Sequence, residues 1–190
     1  FWNASNELVV YTVVLSEGLW RLRVGAYYGF FALYVLDLGY SGQATGWLIA
    51  LGVLAEVVIF LQAGKLITLF GVKWILVISI LLTALRWYLL AVFANNTAIL
   101  VLSQVLHAFS FGMTHAASMH FIHHYFGNKF QSQGQAIYLS VGFGVGGAIG
   151  GYGAGDFWQQ GQGAELTFTL AAAAAALSAL SLVFISSKRF

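Results

Sequence analysis

Long apolar runs follow one another along most of the chain, separated by short stretches rich in glycine, asparagine, glutamine or charge. Each run approaches or exceeds the roughly 20 residues that an α-helix needs to cross the apolar core of a membrane. The pattern predicts an all-α membrane protein with six transmembrane helices in one bundle. The predicted spans are 10–36, 46–70, 74–94, 97–122, 134–157 and 165–185. Such a bundle leaves little of the chain for an extramembrane domain.

The first run differs from the others because charged residues interrupt it. Glu17 and Arg21 are four residues apart in the order that favours a helical ion pair, which leaves Arg23 as the unbalanced charge. Arg23 either reaches the lipid headgroups or attracts an anion into a wet cavity, and the sequence leaves both open. Tyr27 and Tyr28 follow one turn later and combine an apolar ring with a hydroxyl group. They suit an aromatic substrate and a packed helix interface equally well.

Composition supports a lipid environment and excludes several other classes of protein. Hydrophobic residues make up 60% of the chain and charged residues 7%, with a mean hydropathy of +0.84. So few charges do not solvate the surface of a compact water-soluble domain. The eight basic residues are scattered, so no nucleic-acid-binding face is predicted. Cysteine is absent, which excludes disulfides and thiolate metal sites. The chain begins at Phe1, and no signal-peptide pattern is found there.

Charged residues of the predicted loops separate by sign. With six spans, one side of the membrane receives Lys65, Lys73, Lys129, Lys188 and Arg189, and the other receives Asp37, Asp156 and Glu165. Cytoplasmic loops carry an excess of lysine and arginine, so the basic side is predicted to be cytoplasmic. Both termini then lie in the cytoplasm, and a bacterial inner membrane is the expected location.

Ionisable residues inside the predicted spans mark the candidate site. A charge at membrane depth costs several kcal/mol (about 3 on insertion scales) unless it is paired or hydrated, so it indicates a function or a buried partner. Glu56 lies in the middle of the second span and Arg86 past the middle of the third. Adjacent antiparallel spans bring the two to similar depth, which predicts a carboxylate–guanidinium pair. This pair either locks the bundle or opens when a proton or an anionic substrate competes for one partner.

The fourth span carries His107 and His115, with Gln104 on the turn before His107. The two histidines are eight residues apart, close to two helical turns, so they line roughly one face with Phe111 between them. Histidine titrates nearest neutrality and suits a proton relay. The alternative is a pair of interhelical hydrogen bonds.

Histidines also cluster at the predicted cytoplasmic end of the fourth span, at His120, His123 and His124. Their spacing lacks the glutamate of a zinc-protease motif and no thiolate is available, so interfacial histidines are favoured over a metal site. No cofactor or metal is predicted. No arrangement of nucleophile, base and orienting group appears either, so no catalytic residue is assigned and the chain is not predicted to be an enzyme.

Several short motifs in the spans carry a resemblance to a known family. They are Ala26-Tyr-Tyr-Gly-Phe30, Gly52-Val-Leu-Ala-Glu-Val-Val-Ile-Phe60, Leu85-Arg-Trp87, His107-Ala-Phe-Ser-Phe-Gly112, His115-Ala-Ala117 and Gly134-Gln-Ala-Ile-Tyr138. In this order the motifs resemble the C-terminal half of a major facilitator superfamily permease, most closely the phenylpropionate-permease-like (MFS_1-like) family. The segment from Gly64 to Gly71, with Lys73, is similar to the superfamily's loop motif, although Thr68 and Leu69 stand where an acid and a base are usual.

The resemblance implies a 12-helix fold of two six-helix halves that takes up a small solute with protons. It carries the family's polar positions onto Glu56, Arg86, His107 and His115. The leading hypothesis is therefore half of a secondary transporter for a small organic acid or aromatic solute, with an N-terminal six-helix half or an equivalent membrane partner. The alternative is a transporter-derived accessory subunit docked on a larger membrane complex.

Overall fold

The computed structural model describes residues 24–184, and it describes side chains from residue 30 onward. Arg23 therefore lies outside the described residues. Tyr27 and Tyr28 belong to a described helix, but their side chains lie outside the described part. The aromatic-substrate and helix-packing interpretations of these tyrosines, and the headgroup and anion interpretations of Arg23, stay predictions.

Helices form nearly all of the described chain. The α-helices are α1 (Val24–Asp37), α2 (Gly42–Phe70), α3 (Val72–Phe93), α4 (Thr97–His107), α5 (Thr114–Leu139), α6 (Gly147–Trp158) and α7 (Ala164–Val183). Two π-helical segments, with the wider i→i+5 turn, join successive helices. They are π1 (Ala108–Met113), between α4 and α5, and π2 (Ser140–Gly146), between α5 and α6.

Short polar side chains and glycines set the ends of the helices. The hydroxyl of Ser41 accepts a hydrogen bond from the backbone N–H of Ala44 at the start of α2, and the side chain of Asn96 does the same at the start of α4. Both are favoured N-cap residues. Gly71, at a φ of 77°, separates α2 from α3 because its positive φ cannot continue a right-handed helix. The turn is short, so α2 and α3 run antiparallel.

The polypeptide from Thr97 to Gly161 is almost continuously helical over 65 residues. At 1.5 Å per residue a straight helix of this length spans about 98 Å, against a membrane core of about 30 Å. Gly127 interrupts it, with φ 60° and ψ 179°, a conformation that is essentially restricted to glycine. The predicted fourth span ends at 122 and the predicted fifth begins at 134. In the interval between them, the polar residues form helical turns on both sides of Gly127.

Four helices in the described part are long and apolar enough to cross a membrane. They are Gly42–Phe70, Val72–Phe93, Thr97–Gly161 and Ala164–Val183. The difference from the six predicted spans has two causes. The third helix contains both the fourth and the fifth predicted span, and α1 holds only 14 described residues of the first. The described part of the chain is all-helical, and its long helices have the length and apolar composition of membrane spans.

The buried side chains fall into two apolar clusters with a polar layer between them. The first cluster contains α3 residues up to Ile80 and, further along the chain, residues from Met113 of π1 onward. The second cluster contains α3 residues from Trp87 onward and Leu100 of α4. Buried polar residues fill the interval on both helices. They are Thr83 and Arg86 on α3, and Ser103, Gln104 and His107 on α4. The polar layer therefore lies at mid-depth, where ionisable groups need internal partners.

Helix α3 packs most extensively against α7. The buried alanines Ala175 and Ala179 of α7 share the first apolar cluster with Leu76 and Ile80 of α3, and small side chains allow the two helices to approach closely. Helix α2 is the least covered, with 17% of its apolar window buried against 44–56% in the other three long helices. Its outward face is suited to lipid or to a further membrane segment.

Candidate functional site

Three side chains of the polar layer form a hydrogen-bonded chain across three helices. Oε1 of Glu56 on α2 lies 2.7 Å from Nε2 of His107 on α4. Nδ1 of the same imidazole lies 3.0 Å from Nη1 of Arg86 on α3. Arg86 is 1% exposed and His107 6%. We call this arrangement the Glu56–His107–Arg86 chain.

The chemistry of these atoms assigns the protonation of His107. A guanidinium group has only hydrogen-bond donors, so Nδ1 of His107 must accept from Arg86. The proton of the neutral imidazole is then on Nε2 and is donated to the carboxylate of Glu56. Arg86 and Glu56 carry opposite charges with a neutral, polarisable ring between them. The chain is therefore electrically balanced as a unit.

The sequence predicted a direct pair of Glu56 and Arg86, and the structure places His107 between them instead. The reason is the helix packing. Helix α4 packs against both α2 and α3, whereas α2 and α3 pack against each other less. Both charged side chains therefore point toward α4 and meet at its histidine. The sequence predicted the charges of Glu56 and Arg86 and their similar depth. It assigned His107 to a proton relay or an interhelical hydrogen bond instead of to this pair.

Two glycines allow α2 to approach close enough for this contact. A Cβ atom on Gly52 would lie 3.3 Å from both Oε1 of Gln104 and Cδ2 of His107. On the facing side, a Cβ atom on Gly112 would lie 2.7 Å from Cγ2 of Ile59. Neither glycine was given a role in the sequence reading, although each stands in a recognised motif. A glycine inside a long helix is the signal that indicates such close packing.

Gln104 lies beside the chain in the polar layer and is fully buried. Its Nε2 donates to the hydroxyl of Ser103 at 3.0 Å, and that hydroxyl donates to the carbonyl of Leu100 at 2.7 Å. The amide of Gln104 is thus held against α4, on the side that Gly52 leaves open.

An aromatic row extends from His107 along π1. The ring of Phe111 stacks between the two histidines, with centroid distances of 6.2 Å to His107 and 5.9 Å to His115. The planes of Phe111 and His115 differ by 4°. In a regular α-helix, residues eight apart are rotated by about 80°. The wider turn of π1 reduces this rotation, so the three rings form one row.

His115 ends the row, where it contacts the part of α5 that follows the break at Gly127. Its Nδ1 lies 3.3 Å from the hydroxyl of Tyr138, and the two ring centroids are 5.8 Å apart. Tyr138 is buried and lies two residues before the start of π2. Phe143 in π2 contacts Phe111 edge-on, with centroids 6.0 Å apart. Sequence reasoning did not select Tyr138, although it closes the Gly134–Tyr138 motif.

Aromatic side chains support the other end of the Glu56–His107–Arg86 chain. The guanidinium carbon of Arg86 lies 4.7 Å from the centroid of the Trp87 ring, a cation–π distance. Trp87 in turn stacks on Phe168 of α7, with centroids 5.3 Å apart and planes within 11°. The α3–α7 interface therefore positions Arg86.

Some of the predicted site residues are not joined in this arrangement. His107 and His115 do not bond each other, because Phe111 separates their rings. His120, His123 and His124 are exposed. Across residues 24–184, no group of three or more histidine, cysteine, aspartate or glutamate side chains is placed to hold a metal ion.

Comparison with known proteins identifies a family and a fold that this chain matches. The model of the MFS_1 like family matches residues 1–170. Over 121 residues the chain is 37% identical to the probable 3-phenylpropionic acid transporter of Escherichia coli (strain K12), an alignment that covers 63% of this chain and 31% of that protein. A crystal structure of the nucleoside transporter NupG matches with a TM-score of 0.77 at 18% identity, covering 95% of this chain and 48% of that one. This second likeness shows the fold alone. The chain spans less than half the length of either protein.

Proposed function

Because the chain belongs to the MFS_1 like family, we propose that it is the C-terminal six-helix half of a secondary active transporter. The transporter takes up a small organic acid or aromatic solute together with a proton, by alternating access. A match to 48% of a complete transporter fold supports the assignment of one half. An N-terminal six-helix half, or an equivalent membrane partner, completes the central cavity. The observation that carries the proposal is the Glu56–His107–Arg86 chain.

Proton uptake changes this chain in a defined way. A proton that binds Nδ1 of His107 turns an acceptor into an N–H donor, and the donor-only guanidinium of Arg86 then loses its bond. The imidazolium pairs with the carboxylate of Glu56, so that carboxylate then balances the charge of His107 instead of the charge of Arg86. Protonation of the central histidine thus separates Arg86 from the other two members of the chain.

The released guanidinium is suited to an organic acid. Arginine binds carboxylates through two parallel N–H···O bonds, and in a dry site the pairing balances both charges. Charge balance therefore couples one proton to each monoanion. Because the Arg86 side chain is 1% exposed in this state, the solute gains access only after Arg86 moves. Coupling follows from this order of events.

The aromatic row supplies surfaces for the apolar part of a solute. Phe111, Phe143 and His115 are partly buried, and the ring of Phe111 contacts the rings of His107, His115 and Phe143. Tyr138 adds a hydroxyl group. The relative's name gives a compound with a phenyl ring and a carboxylate. Such a compound fits a guanidinium at one end and aromatic rings at the other.

The test is gradient-driven uptake of labelled 3-phenylpropionate by the complete transporter in membrane vesicles. Glu56→Gln and His107→Ala are expected to abolish uptake driven by an imposed pH gradient, while the protein remains folded in the membrane. Glu165→Gln is the matched control, because Glu165 is exposed at the start of α7. Wild-type gradient-driven uptake in both site variants overturns the proton role. Normal folding with no uptake of any acid or aromatic solute favours the accessory-subunit alternative.

A further inference from the structure

A cavity lies at the end of the bundle where α2 passes into α3. Its volume is about 410 Å³. Its walls come from the end of α2, the start of α3 and one residue of α5. They are Ile67, Thr68, Phe70, Gly71, Val72, Lys73, Trp74 and His120. Arg86 is 13 residues beyond Lys73 on the same helix, about 20 Å away along its axis. The cavity is therefore separate from the central site.

The ionisable residues in the cavity wall are basic. They are Lys73 and His120, and no acidic residue joins them among the described lining residues. Lys73 is 7% exposed, and its ammonium group donates to the carbonyl of Val183 at the end of α7, at 2.9 Å. The same ammonium lies 5.3 Å from the ring centroid of Trp74, which also lines the cavity. A buried positive charge thus lies beside the cavity, and the exposed imidazole of His120 also lines it.

The rest of the wall is apolar and continues onto the outer surface. Phe70 and Trp74 are each about half exposed, and the neighbouring Leu69 is 74% exposed. Tryptophan beside lysine is typical of the depth at which a membrane protein meets the lipid headgroups. A molecule in this cavity therefore contacts positive charge on one side and the apolar surface of the bundle on the other.

We propose that this cavity binds the headgroup of an anionic phospholipid. Its phosphate lies between Lys73 and His120, and its acyl chains follow the apolar surface beside Phe70 and Trp74. Basic pockets between transmembrane helices recognise anionic lipids by this combination of charge and apolar surface. The proposal uses the charge of the ammonium, because the carbonyl of Val183 already accepts one of its bonds. It does not depend on transport activity.

The experiment is native mass spectrometry of the full chain released from detergent with equal amounts of phosphatidylglycerol and phosphatidylcholine of matched acyl chains. We expect preferential retention of one phosphatidylglycerol molecule. Lys73→Gln is expected to reduce this preference about fivefold, the effect of one lysine near an anionic surface. His120→Gln is expected to reduce it by a smaller factor. Lys129→Gln and His123→Gln are matched controls, because both residues are exposed and outside the cavity wall.

Each other outcome counts against the proposal. Equal retention of the two lipids, or equal losses in the site and control variants, overturns it. Displacement of the lipid by millimolar inorganic phosphate assigns the cavity to a free anion and also overturns it. Lys73→Gln removes a bond to α7 and can lower stability, so Lys73→Arg is measured beside it and is expected to keep the preference. If Lys73→Gln does not fold, the comparison of His120→Gln with His123→Gln decides the outcome.

Discussion

Nδ1 of His107 lies 3.0 Å from Nη1 of Arg86, so an arginine that only donates hydrogen bonds fixes the protonation of a buried histidine. The same ring donates to Glu56 on its other side. Removing either charged residue leaves the remaining charge buried without its balance. Removing both charges leaves polar groups that need no ion partner. The chain is therefore expected to behave as one energetic unit.

The first prediction tests this unit by a double-mutant cycle. Glu56→Gln and Arg86→Gln are each expected to lower the free energy of unfolding by about 3–5 kcal/mol, because each leaves an uncompensated buried charge. The double variant is expected to lose less than the sum, with a coupling of about 1–3 kcal/mol. Denaturation in mixed micelles, followed by circular dichroism, measures the four free energies. Glu165→Gln with Lys129→Gln serves as a distant, exposed control pair. Additivity in the site cycle contradicts the unit.

The second prediction concerns the close approach of α2 to π1 at Gly112. A methyl group there meets Cγ2 of Ile59 at 2.7 Å, so Gly112→Ala is expected to push the two helices apart. Overpacking of this kind costs about 1–3 kcal/mol. The apparent melting temperature of Gly112→Ala is expected to fall, and uptake is expected to fall with it because Glu56 moves away from His107. Ile59→Ala in the same chain removes the clashing methyl and is expected to restore part of both.

Gly144→Ala is the matched control for this substitution. Gly144 lies in π2, as Gly112 lies in π1, but a Cβ atom on Gly144 meets nothing within 4 Å. Its melting temperature is expected to stay within the error of the wild type or to rise slightly, since alanine favours helix over glycine. Equal losses in Gly112→Ala and Gly144→Ala contradict a specific contact with Ile59.

The sequence predicted the members of the site better than their arrangement. Glu56, Arg86 and His107 stand out because each is an ionisable group within an apolar run, and the membrane makes such a group costly without a partner. Which of them contact each other depends on how α2, α3 and α4 pack. Hydropathy contains no information on helix neighbours, so the pairing through the imidazole was not predictable.

Backbone irregularities were the second limit of the sequence. The π1 segment aligns Phe111 with both histidines and contacts α2, α3 and α5, and no local residue signal predicts it. The predicted spans exclude 123–133 because these residues are polar, whereas the structure forms helical turns there. Their polarity reflects their position at one end of the bundle, and only Gly127 breaks the helix.

The third prediction follows from the conformation of Gly127. Its φ of 60° and ψ of 179° lie in a region that is essentially reserved for glycine. Gly127→Ala therefore strains the break at a cost of about 1–3 kcal/mol, although a Cβ atom there meets nothing within 4 Å. The apparent melting temperature is expected to fall. Gly64→Ala, at an exposed helical glycine with equally open space, is expected to leave it unchanged. Equal melting temperatures for both variants contradict a role for the left-handed backbone.

The fourth prediction assigns a role in solute binding to the hydroxyl of Tyr138. Tyr138→Phe keeps the ring that contacts His115 but removes the hydroxyl that lies 3.3 Å from its Nδ1. One neutral hydrogen bond contributes about 0.5–1.5 kcal/mol, so the KM for 3-phenylpropionate is expected to rise by about twofold to tenfold. The maximal rate is expected to change little, because the Glu56–His107–Arg86 chain is intact.

His115 and Tyr138 are expected to act together in this step. If their contact is what positions the solute, adding His115→Gln to Tyr138→Phe raises the KM no further than His115→Gln alone. Tyr152→Phe is the control, because Tyr152 is 77% exposed and outside the aromatic row. A wild-type KM in Tyr138→Phe, or independent effects of the two substitutions, places the solute elsewhere in the cavity. In that case the contact only joins the two parts of α5 on either side of Gly127, and its loss lowers the melting temperature without changing solute affinity.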